Sequence, residues 1–209
     1  MSPPPDIADA LRLLAGVETA TIGHFRNEGF VAPAIQGLGA SPRICGPALT
    51  VLLRGDDGTA MVRALSAAKP GEVLVVDRGE DESHACWGAV LTAAAQARGL
   101  AGAVVDGFVT DVAAIETSGF PVWCRGRSPL TTKARGGGLV GVTIRCGGAV
   151  VHQGDVILAD ENGVAVLPPA EARAIAERAL EIQAKEPDII ARIRAGEDIA
   201  AVYGIAPEG

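Results

Sequence analysis

The sequence predicts an α/β fold, in which strands and helices alternate along the first two thirds of the chain. Short apolar runs at residues 48–53, 72–76 and 102–106 have the length and composition of buried strands. Between them, segments 58–68 and 88–98 carry apolar residues at helical spacing. This alternation favours parallel pairing of the strands, with helices packed against the sheet.

The N-terminal part of the chain supplies one clear helix before the first strand. Asp6 can cap this helix, and the apolar face of the helix includes Leu14. Residues 19–24 are polar and are interpreted as irregular. Residues 30–47 are rich in Pro and Gly and are interpreted as a loop.

The segment 83–111 combines a loop, a helix start, a strand and an acidic loop that ends at Asp111. The predicted buried face of its helix consists of Val90, Leu91, Ala94 and Ala97. Unpaired N–H groups at a helix start attract an anion, and a carboxylate beyond a strand end can hold a hard cation. The segment therefore predicts a site for an anionic ligand that also binds a divalent metal.

The last part of the chain changes character. A short helix after Asp111 would end near Gly119, a strand 121–124 would follow, and 125–138 would form a long exposed loop. Short apolar runs separated by turn signals come next, with a hairpin signal at Asn162-Gly163. Three helices complete the chain, at 169–185, 187–195 and 198–203. Because no repeat or linker is found, we predict one domain over residues 1–209, with C-terminal helices from about residue 169.

The composition restricts the function. The 209 residues are 48% hydrophobic but only 3% aromatic, so the core must be built from small aliphatic side chains. The balance of 18 Lys and Arg against 25 Asp and Glu gives a net charge of −7, which argues against nucleic-acid or anionic-membrane binding. No run approaches the roughly 20 apolar residues of a membrane span. Since the start also lacks the features of a signal peptide, we expect a cytoplasmic protein.

Four cysteines are widely spaced and form no C-x-x-C pair, so neither a zinc site nor a redox motif is indicated. They are expected to be reduced and mostly buried. Cys86 lies two residues from His84, which leaves a nucleophile interpretation open beside the preferred structural one.

A series of short stretches runs through most of the chain in a specific order. They are CGPALTV (45–51), VLVVD (73–77), WG (87–88), GAVVDG (102–107) with Asp111, GFPV (119–122), GGAVV (147–151) and GDVILADENGVAV (154–166). Together they resemble the RraA-like family, which includes 4-hydroxy-4-methyl-2-oxoglutarate aldolases, regulators of ribonuclease E activity and proteins once labelled demethylmenaquinone methyltransferases. The methyltransferase label is set aside, because no Gly-rich nucleotide loop with a following acidic residue is found.

The resemblance implies a three-layer β/β/α sandwich of the swivelling-domain type. It also implies a homo-oligomer, a trimer or a hexamer of two stacked trimers, with sites at subunit interfaces. The implied activity is that of a divalent-metal-dependent lyase of the class II pyruvate-aldolase or oxaloacetate-decarboxylase type. Such an enzyme acts on a small 2-oxoacid through a metal-stabilised enolate.

The resemblance also implies the site residues. Backbone N–H groups of Gly88, Ala89, Val90 and Leu91 would hold the carboxylate of the substrate. An Arg-Asp dipeptide follows the central strand in the family, and the matching positions here are Thr110 and Asp111. Asp111 would bind Mg²⁺ or Mn²⁺, and Thr110 stands where an Arg would grip the substrate.

The chain departs from the family pattern at polar positions of this site. Thr110 cannot supply the charge or the forked donors of an Arg. Ala89 and Ala114 stand where aldolase members commonly have acidic residues. These changes are compatible with an altered substrate, such as an oxoacid without a second carboxylate, or with a non-catalytic binding protein. The missing cation could come from the loop, or the loop arginines could be merely solvated; these are Arg125, Arg127 and Arg135.

Other polar residues have two interpretations. Asp111 could be a metal ligand or a simple cap of the helix that follows it. Asp106 could form a turn or support a ligating residue through a hydrogen bond, and the turn is preferred. Asp155 and Asp160 are expected to shape turns, and His24, His84 and His152 are expected to be structural, with a role in a site as the alternative. Glycines 136–138 lack the Lys and the Ser or Thr of a phosphate loop, so flexibility is their expected role.

Overall fold

The computed structural model describes residues 5–39 and 43–206, with the side chains of residues 5 and 6 left out. The predicted cap by Asp6 therefore lies outside the described residues. The helices are α1 Pro5–Leu14, α2 Thr19–Gly23, α3 Thr59–Ala67, α4 Ala89–Ala97, α5 Val112–Ser118, α6 Pro169–Gln183, α7 Glu186–Arg194 and α8 Ile199–Tyr203. The strands are β1 Gln36–Gly37, β2 Ile44–Leu52, β3 Val73–Asp77, β4 Ala85–Trp87, β5 Gly102–Val109, β6 Val122–Arg127, β7 Leu139–Val140, β8 Ile144–Cys146, β9 Ala149–Val151, β10 Val156–Asp160 and β11 Gly163–Leu167.

The main sheet has the order β1-β6-β5-β3-β2-β10-β11. Strands β2, β3, β5 and β6 are parallel, whereas β10 and β11 continue the sheet in antiparallel orientation. Strand β4 pairs with the end of β5, and β7 pairs with the end of β2. The carboxyl ends of the parallel strands therefore meet at one edge, which is where ligands bind in such sheets.

The layers are defined by which core each strand residue enters. In β3, Val73 and Val75 face one core and Leu74 and Val76 face the other. The first core contains inward residues of β10 and β11 and of the β8–β9 hairpin, so the sheet curls onto itself. The second core lies against α3 and α4. The predicted α/β class and the three-layer β/β/α arrangement are confirmed.

A third core surrounds the outer face of the curled strands. Helices α1 and α6 pack there against β10 and β11, and Leu14 is fully buried as predicted for the first helix. The hairpin signal at Asn162-Gly163 is confirmed, because β10 and β11 join through a tight turn between Asp160 and Gly163. The three C-terminal helices are also confirmed, and Asp198 caps α8 by accepting a hydrogen bond from the Ala201 amide.

Two interpretations of the N-terminal half are wrong. Residues 19–24 were interpreted as irregular but contain α2. The loop at 30–47 contains β1 and the first residues of β2. Gly46 lies inside β2, and glycine is needed there because a Cβ would be 2.1 Å from the carbonyl oxygen of Gly71. This glycine allows close packing and does not mark a turn.

In the segment 83–111 and the strand that follows it, the strands are longer than predicted and α4 buries a different face. Strand β5 continues to Val109 and β6 to Arg127, so residues assigned to an acidic loop and to an exposed loop are paired in the sheet. The predicted face of α4 is wrong in part: Val90 is 81% exposed, whereas Thr92 and Ala95 are buried. The Thr92 hydroxyl accepts from Trp87 Nε1 at 2.8 Å and donates to the Gly88 carbonyl at 3.0 Å. The buried face of α4 thus contains a polar residue whose hydrogen bonds are satisfied, where the sequence predicted only apolar residues.

Candidate functional site

The candidate site forms where β4 and β5 end side by side. These strands are parallel, and the Thr110 amide donates to the Trp87 carbonyl at 2.8 Å. Gly88 follows Trp87 in extended conformation and leads directly into α4. The helix start and the Thr110-Asp111 dipeptide, which are far apart in sequence, are therefore neighbours at the carboxyl edge of the sheet.

Gly88 is needed for this close approach. A Cβ built on Gly88 would lie 2.7 Å from Asp111 Oδ2 and 2.8 Å from Thr110 Cγ2. Both distances are shorter than real Cβ contacts, so a side chain at position 88 would displace the side chains of Thr110 and Asp111.

Asp111 directs its carboxylate towards α4. Its Oδ2 accepts a hydrogen bond from the Ala89 amide at 3.0 Å. Asp111 has φ 53° and ψ 38°, and it is the one non-glycine with positive φ in the part of the chain that the structure describes. Its side chain makes no capping bond to α5, so the alternative that it caps its own helix is wrong.

The first turn of α4 retains donors for a ligand. The Ala89 amide is bonded to Asp111, whereas the amides of Val90 and Leu91 have no acceptor among residues 5–39 and 43–206. Of the four backbone groups predicted to hold a carboxylate, the Ala89 amide is thus taken by Asp111, whereas those of Val90 and Leu91 are open towards an anion. Thr110 is half-buried beside them and packs its methyl group over Gly88.

Two of the loop arginines are engaged elsewhere. Arg125 pairs with Asp106, and Arg135 makes two hydrogen bonds to the Asp56 carboxylate, at 2.9 and 2.6 Å. The hydrogen bond from Arg135 lowers the pKa of Asp56. Arg127 ends β6 next to Val109, is exposed, and has no ion pair with the described residues. The structure therefore brings no guanidinium from residues 125 or 135 to the place of the missing Arg.

The segment that leads into β4 is fixed by a buried ion cluster. Asp81 accepts from the amides of Ser83 and His84 at 2.9 and 2.8 Å, and from His84 Nδ1 at 2.8 Å. Arg78, which is 1% exposed, lies 3.0 Å from the same carboxylate and donates to the Gly55 carbonyl. Burial opposes ionisation of Asp81, but these hydrogen bonds and the Arg78 charge lower its pKa. This cluster could not be predicted from the sequence, because nothing in the pattern shows that an Arg after a strand is buried.

The nucleophile interpretation of Cys86 is contradicted. Its thiol is buried, and burial raises its pKa to about 12, so almost none of it would be thiolate at neutral pH. The ring of His84 is bonded to Asp81. All four cysteines are free, as predicted.

The other predicted polar residues are structural. Asp106 lies inside β5 and accepts from the Gly147 amide at 2.5 Å, so the prediction that it forms a turn is wrong. Asp155 and Asp160 do shape turns, through the amides of His152 and Asn162. Asp160 also accepts from Thr19 at 2.7 and 2.6 Å, which fixes α2.

A cavity in the described part of the chain lies outside the candidate site. It has a volume of about 810 Å³ and lies at the carboxyl ends of β2 and β3. Its charged lining residues are Arg54, Asp77, Glu80, Asp81 and Arg145. Gly88, Thr110 and Asp111 do not line it. The lining residues come from the ends of β2 and β3 with the loops that follow them, and from the β8–β9 hairpin and the residue before it, so no single sequence motif marks this cavity.

Within residues 5–39 and 43–206, no group of three or more His, Cys, Asp or Glu could hold a metal ion. None of the helices described is both long and apolar enough to cross a membrane.

Comparison with known proteins identifies the family. The family model described as RraA-like, Aldolase/RraA, matches residues 5–166. The chain belongs to the RraA-like family. A relative from Halalkalibacterium halodurans with the provisional name 4-hydroxy-4-methyl-2-oxoglutarate aldolase is 35% identical over 152 residues, which cover 73% of this chain and 72% of the relative.

Solved structures of RraA-like proteins agree with this assignment. RraAS2 from Streptomyces coelicolor, described as an unusual member of the RNase ES inhibitor RraA protein family, has a TM-score of 0.75 and 26% identity. The match covers 92% of this chain and 98% of RraAS2. A protein of uncharacterised function from Pseudomonas syringae superposes with a TM-score of 0.82 at 24% identity, covering 95% and 94% of the two chains. The latter similarity shows the fold alone.

Proposed function

We propose that this RraA-like protein is a divalent-metal-dependent lyase that acts on a small 2-oxoacid, of the class II pyruvate-aldolase or oxaloacetate-decarboxylase type. The observation that carries the proposal is the position of Asp111. Its exposed carboxylate lies against the first turn of α4, where the amides of Val90 and Leu91 are open. A cation and a carboxylate could therefore bind side by side.

Asp111 fits a hard cation such as Mg²⁺ or Mn²⁺. Oδ2 is bonded to Ala89, but Oδ1 has no hydrogen-bond partner among the residues that the structure describes. Mg²⁺ is commonly bound by one or two carboxylates and keeps several waters. A single aspartate is thus a sufficient protein ligand when the substrate supplies further oxygens.

The residues of the chain have separate roles in this proposal. A cation held by Asp111 would supply a Lewis acid for the charge that develops on the keto oxygen when the carbon–carbon bond breaks. The amides of Val90 and Leu91 would hold the substrate carboxylate by charge-assisted hydrogen bonds at a helix N-terminus. Gly88 admits the dipeptide, and the left-handed backbone of Asp111 fixes the direction of its carboxylate.

Thr110 makes an altered substrate part of the proposal. A hydroxyl cannot replace the two parallel donors and the charge of an Arg, and Arg125 and Arg135 are paired elsewhere. Losing such a contact typically costs about 2–4 kcal/mol in the transition state, or roughly 10²–10³-fold in rate. We therefore expect slow turnover of oxaloacetate and faster turnover of an oxoacid that does not require the Arg.

The test is pyruvate release from oxaloacetate and from 4-hydroxy-2-oxoacids with Mg²⁺ or Mn²⁺, before and after EDTA. We expect metal-dependent release from at least one substrate, and the variant Thr110→Arg should accelerate oxaloacetate decarboxylation by about tenfold or more. Thr117→Arg is the matched control, because Thr117 lies exposed on α5, and it should leave the rate unchanged. No pyruvate from any substrate, for either the natural chain or Thr110→Arg, would refute the lyase proposal.

A second candidate function is that of a non-catalytic binding protein. It is favoured by the uncharged residues at positions 110, 89 and 114 and by the similarity to the S. coelicolor inhibitor-family structure. In this case a ribonuclease of the RNase E class would be retained in stoichiometric amount on the immobilised protein. Mg²⁺ and Mn²⁺ would then leave the melting temperature unchanged.

Under either function we propose a cytoplasmic homo-oligomer, a trimer or a hexamer, with the site at a subunit interface and no nucleic acid or membrane as partner. Val90 supports this proposal. Its apolar side chain is 81% exposed next to the candidate site, where a neighbouring subunit could cover it. The net charge of −7 disfavours a nucleic-acid partner.

A further inference from the structure

We infer that Asp111 is also a positioning residue, which holds the first turn of α4 in the conformation that binds an anion. This inference deepens the proposed function and rests on it only for the identity of the anion. It gives the two carboxylate oxygens different tasks: Oδ2 anchors α4, and Oδ1 remains for the cation.

Two hydrogen bonds tie the dipeptide to the chain on both sides of Gly88. The Thr110 amide donates to the Trp87 carbonyl at 2.8 Å, and the Ala89 amide donates to Asp111 Oδ2 at 3.0 Å. Gly88 lies between these bonds and has no room for a side chain. The direction of the next two amides, those of Val90 and Leu91, is thereby set before any ligand arrives.

The backbone of Asp111 supports the same conclusion. A residue that precedes a helix usually adopts an extended conformation and accepts a hydrogen bond from its own helix. Asp111 instead has a left-handed conformation, which is unfavourable for most residues, and it makes no side-chain bond to α5. This conformation directs the carboxylate to Ala89, so the contact with α4 accounts for both departures.

A consequence is that the Asp111 carboxylate and the oxoacid need not compete for the same amides. The Ala89 amide is satisfied by the protein, and the ligand carboxylate has two amides of its own. Of two variants that both lose the charge of Asp111, the one that also loses the side chain should therefore bind an anion more weakly even when no metal is present, which a role in metal binding alone would not cause.

The test compares Asp111→Asn with Asp111→Gly in EDTA. Asn keeps an oxygen acceptor and tolerates the left-handed conformation, whereas Gly removes the side chain without backbone strain. Hydrogen exchange of the Ala89 amide and pyruvate binding by ligand-observed NMR are measured. We expect exchange at Ala89 to rise about tenfold or more in Asp111→Gly, and pyruvate to bind more weakly to Asp111→Gly than to Asp111→Asn, which has lost the same charge. Asp111→Asn should keep exchange at Ala89 close to that of the natural chain but lose Mn²⁺ binding.

The control is Asp188→Asn, which removes an exposed charge on α7 and should change neither measurement. Equal exchange at Ala89 in the natural chain and in Asp111→Gly would overturn the inference. If exchange changes as expected but pyruvate binds to none of the proteins, the positioning role stands and the proposed function fails.

Discussion

Gly88 is the residue on which the geometry of the candidate site depends most directly. Its backbone φ of −164° is one that any residue can adopt. Glycine is therefore required for space alone: a Cβ would lie 2.7 Å from Asp111 Oδ2 and 2.8 Å from Thr110 Cγ2.

We predict that Gly88→Ala separates Asp111 from α4. Overpacking of this kind typically costs about 1–3 kcal/mol, which urea unfolding would measure, and Mn²⁺ and pyruvate binding should weaken together. The matched control is Gly23→Ala, because no heavy atom lies within 4 Å of a Cβ at that helical position. It should be neutral or stabilising by about 0.5–1 kcal/mol. Gly88→Ala with unchanged stability and unchanged Mn²⁺ binding would show that the site can relax around a methyl group.

At the residue scale, the sequence could predict that the helix start at residue 88 and Asp111 lie close together. The order of strand and helix places both at the same edge of a parallel sheet. The hydrogen bond between Ala89 and Asp111 could not be predicted, because it depends on a left-handed backbone at a residue that is not glycine. The burial of Arg78 was also unpredictable, since the room for its side chain is made by Gly107, which is distant in sequence and lies on the neighbouring strand β5.

At the element scale, the strands whose two faces are both buried were predicted best. Strand β3 is an unbroken apolar run because its alternate residues enter two different cores. Prediction failed where Gly and Pro serve packing inside a strand, as at Gly46 and Pro47 in β2. It also failed for the loop at 125–138, which begins in β6.

The segment 128–138, here called the strap, connects the candidate site to α3. At one end the Ser128 amide donates to the Val109 carbonyl, next to Thr110. At the other end Asp57 accepts from the amides of Arg135 and Gly137 at 3.1 and 2.5 Å. Glycines 136–138, expected to be flexible, are thus held in part by one carboxylate.

We predict that Asp57→Asn releases the strap. The pKa of Asp57 is lowered, first by the hydrogen bond from the Thr59 hydroxyl. Because the folded pKa is below the unfolded one, this stabilisation is complete above the unfolded pKa of about 4 and is lost as the pH falls towards the folded value. Trypsin should cleave at Lys133 and Arg135 faster in the variant at pH 7, and the urea midpoint of the variant should fall less between pH 5 and pH 3 than that of the natural chain.

Asp56→Asn is the control for the strap prediction. It removes only the partly exposed ion pair with Arg135, and such pairs contribute little. Equal rates of trypsin cleavage in Asp57→Asn and Asp56→Asn would contradict the prediction. The strap would then be held by the backbone bridges from Thr131 to Ala85 and from Lys133 to Asp57, and not by the Asp57 carboxylate.

At the scale of the whole molecule, the two tryptophans report on different layers. Trp87 lies in the core between the sheet and the helices, stacked on Phe120 with ring centroids 5.9 Å apart. Trp123 lies in the core between the strand layers, where its Nε1 donates to the Asp160 carbonyl at 3.0 Å. Both are fully buried, so each fluorescence signal should change when its own core opens.

We predict that residues 1–209 unfold as one domain, because each of the strands β2, β3, β5 and β6 contributes side chains to both of these cores. In each single-tryptophan variant, Trp87→Phe and Trp123→Phe, the urea midpoint from fluorescence should equal the midpoint from far-UV circular dichroism. Each substitution should lower the stability, because both indole N–H groups are hydrogen bonded. Comparing two probes within one variant makes the test independent of this loss. A fluorescence midpoint that precedes the dichroism midpoint in only one of the variants would contradict the one-domain prediction, because one layer would then open while the other remained folded. The layer that opens first would also be identified, and an early loss of the Trp87 signal would place the weaker unit next to Gly88.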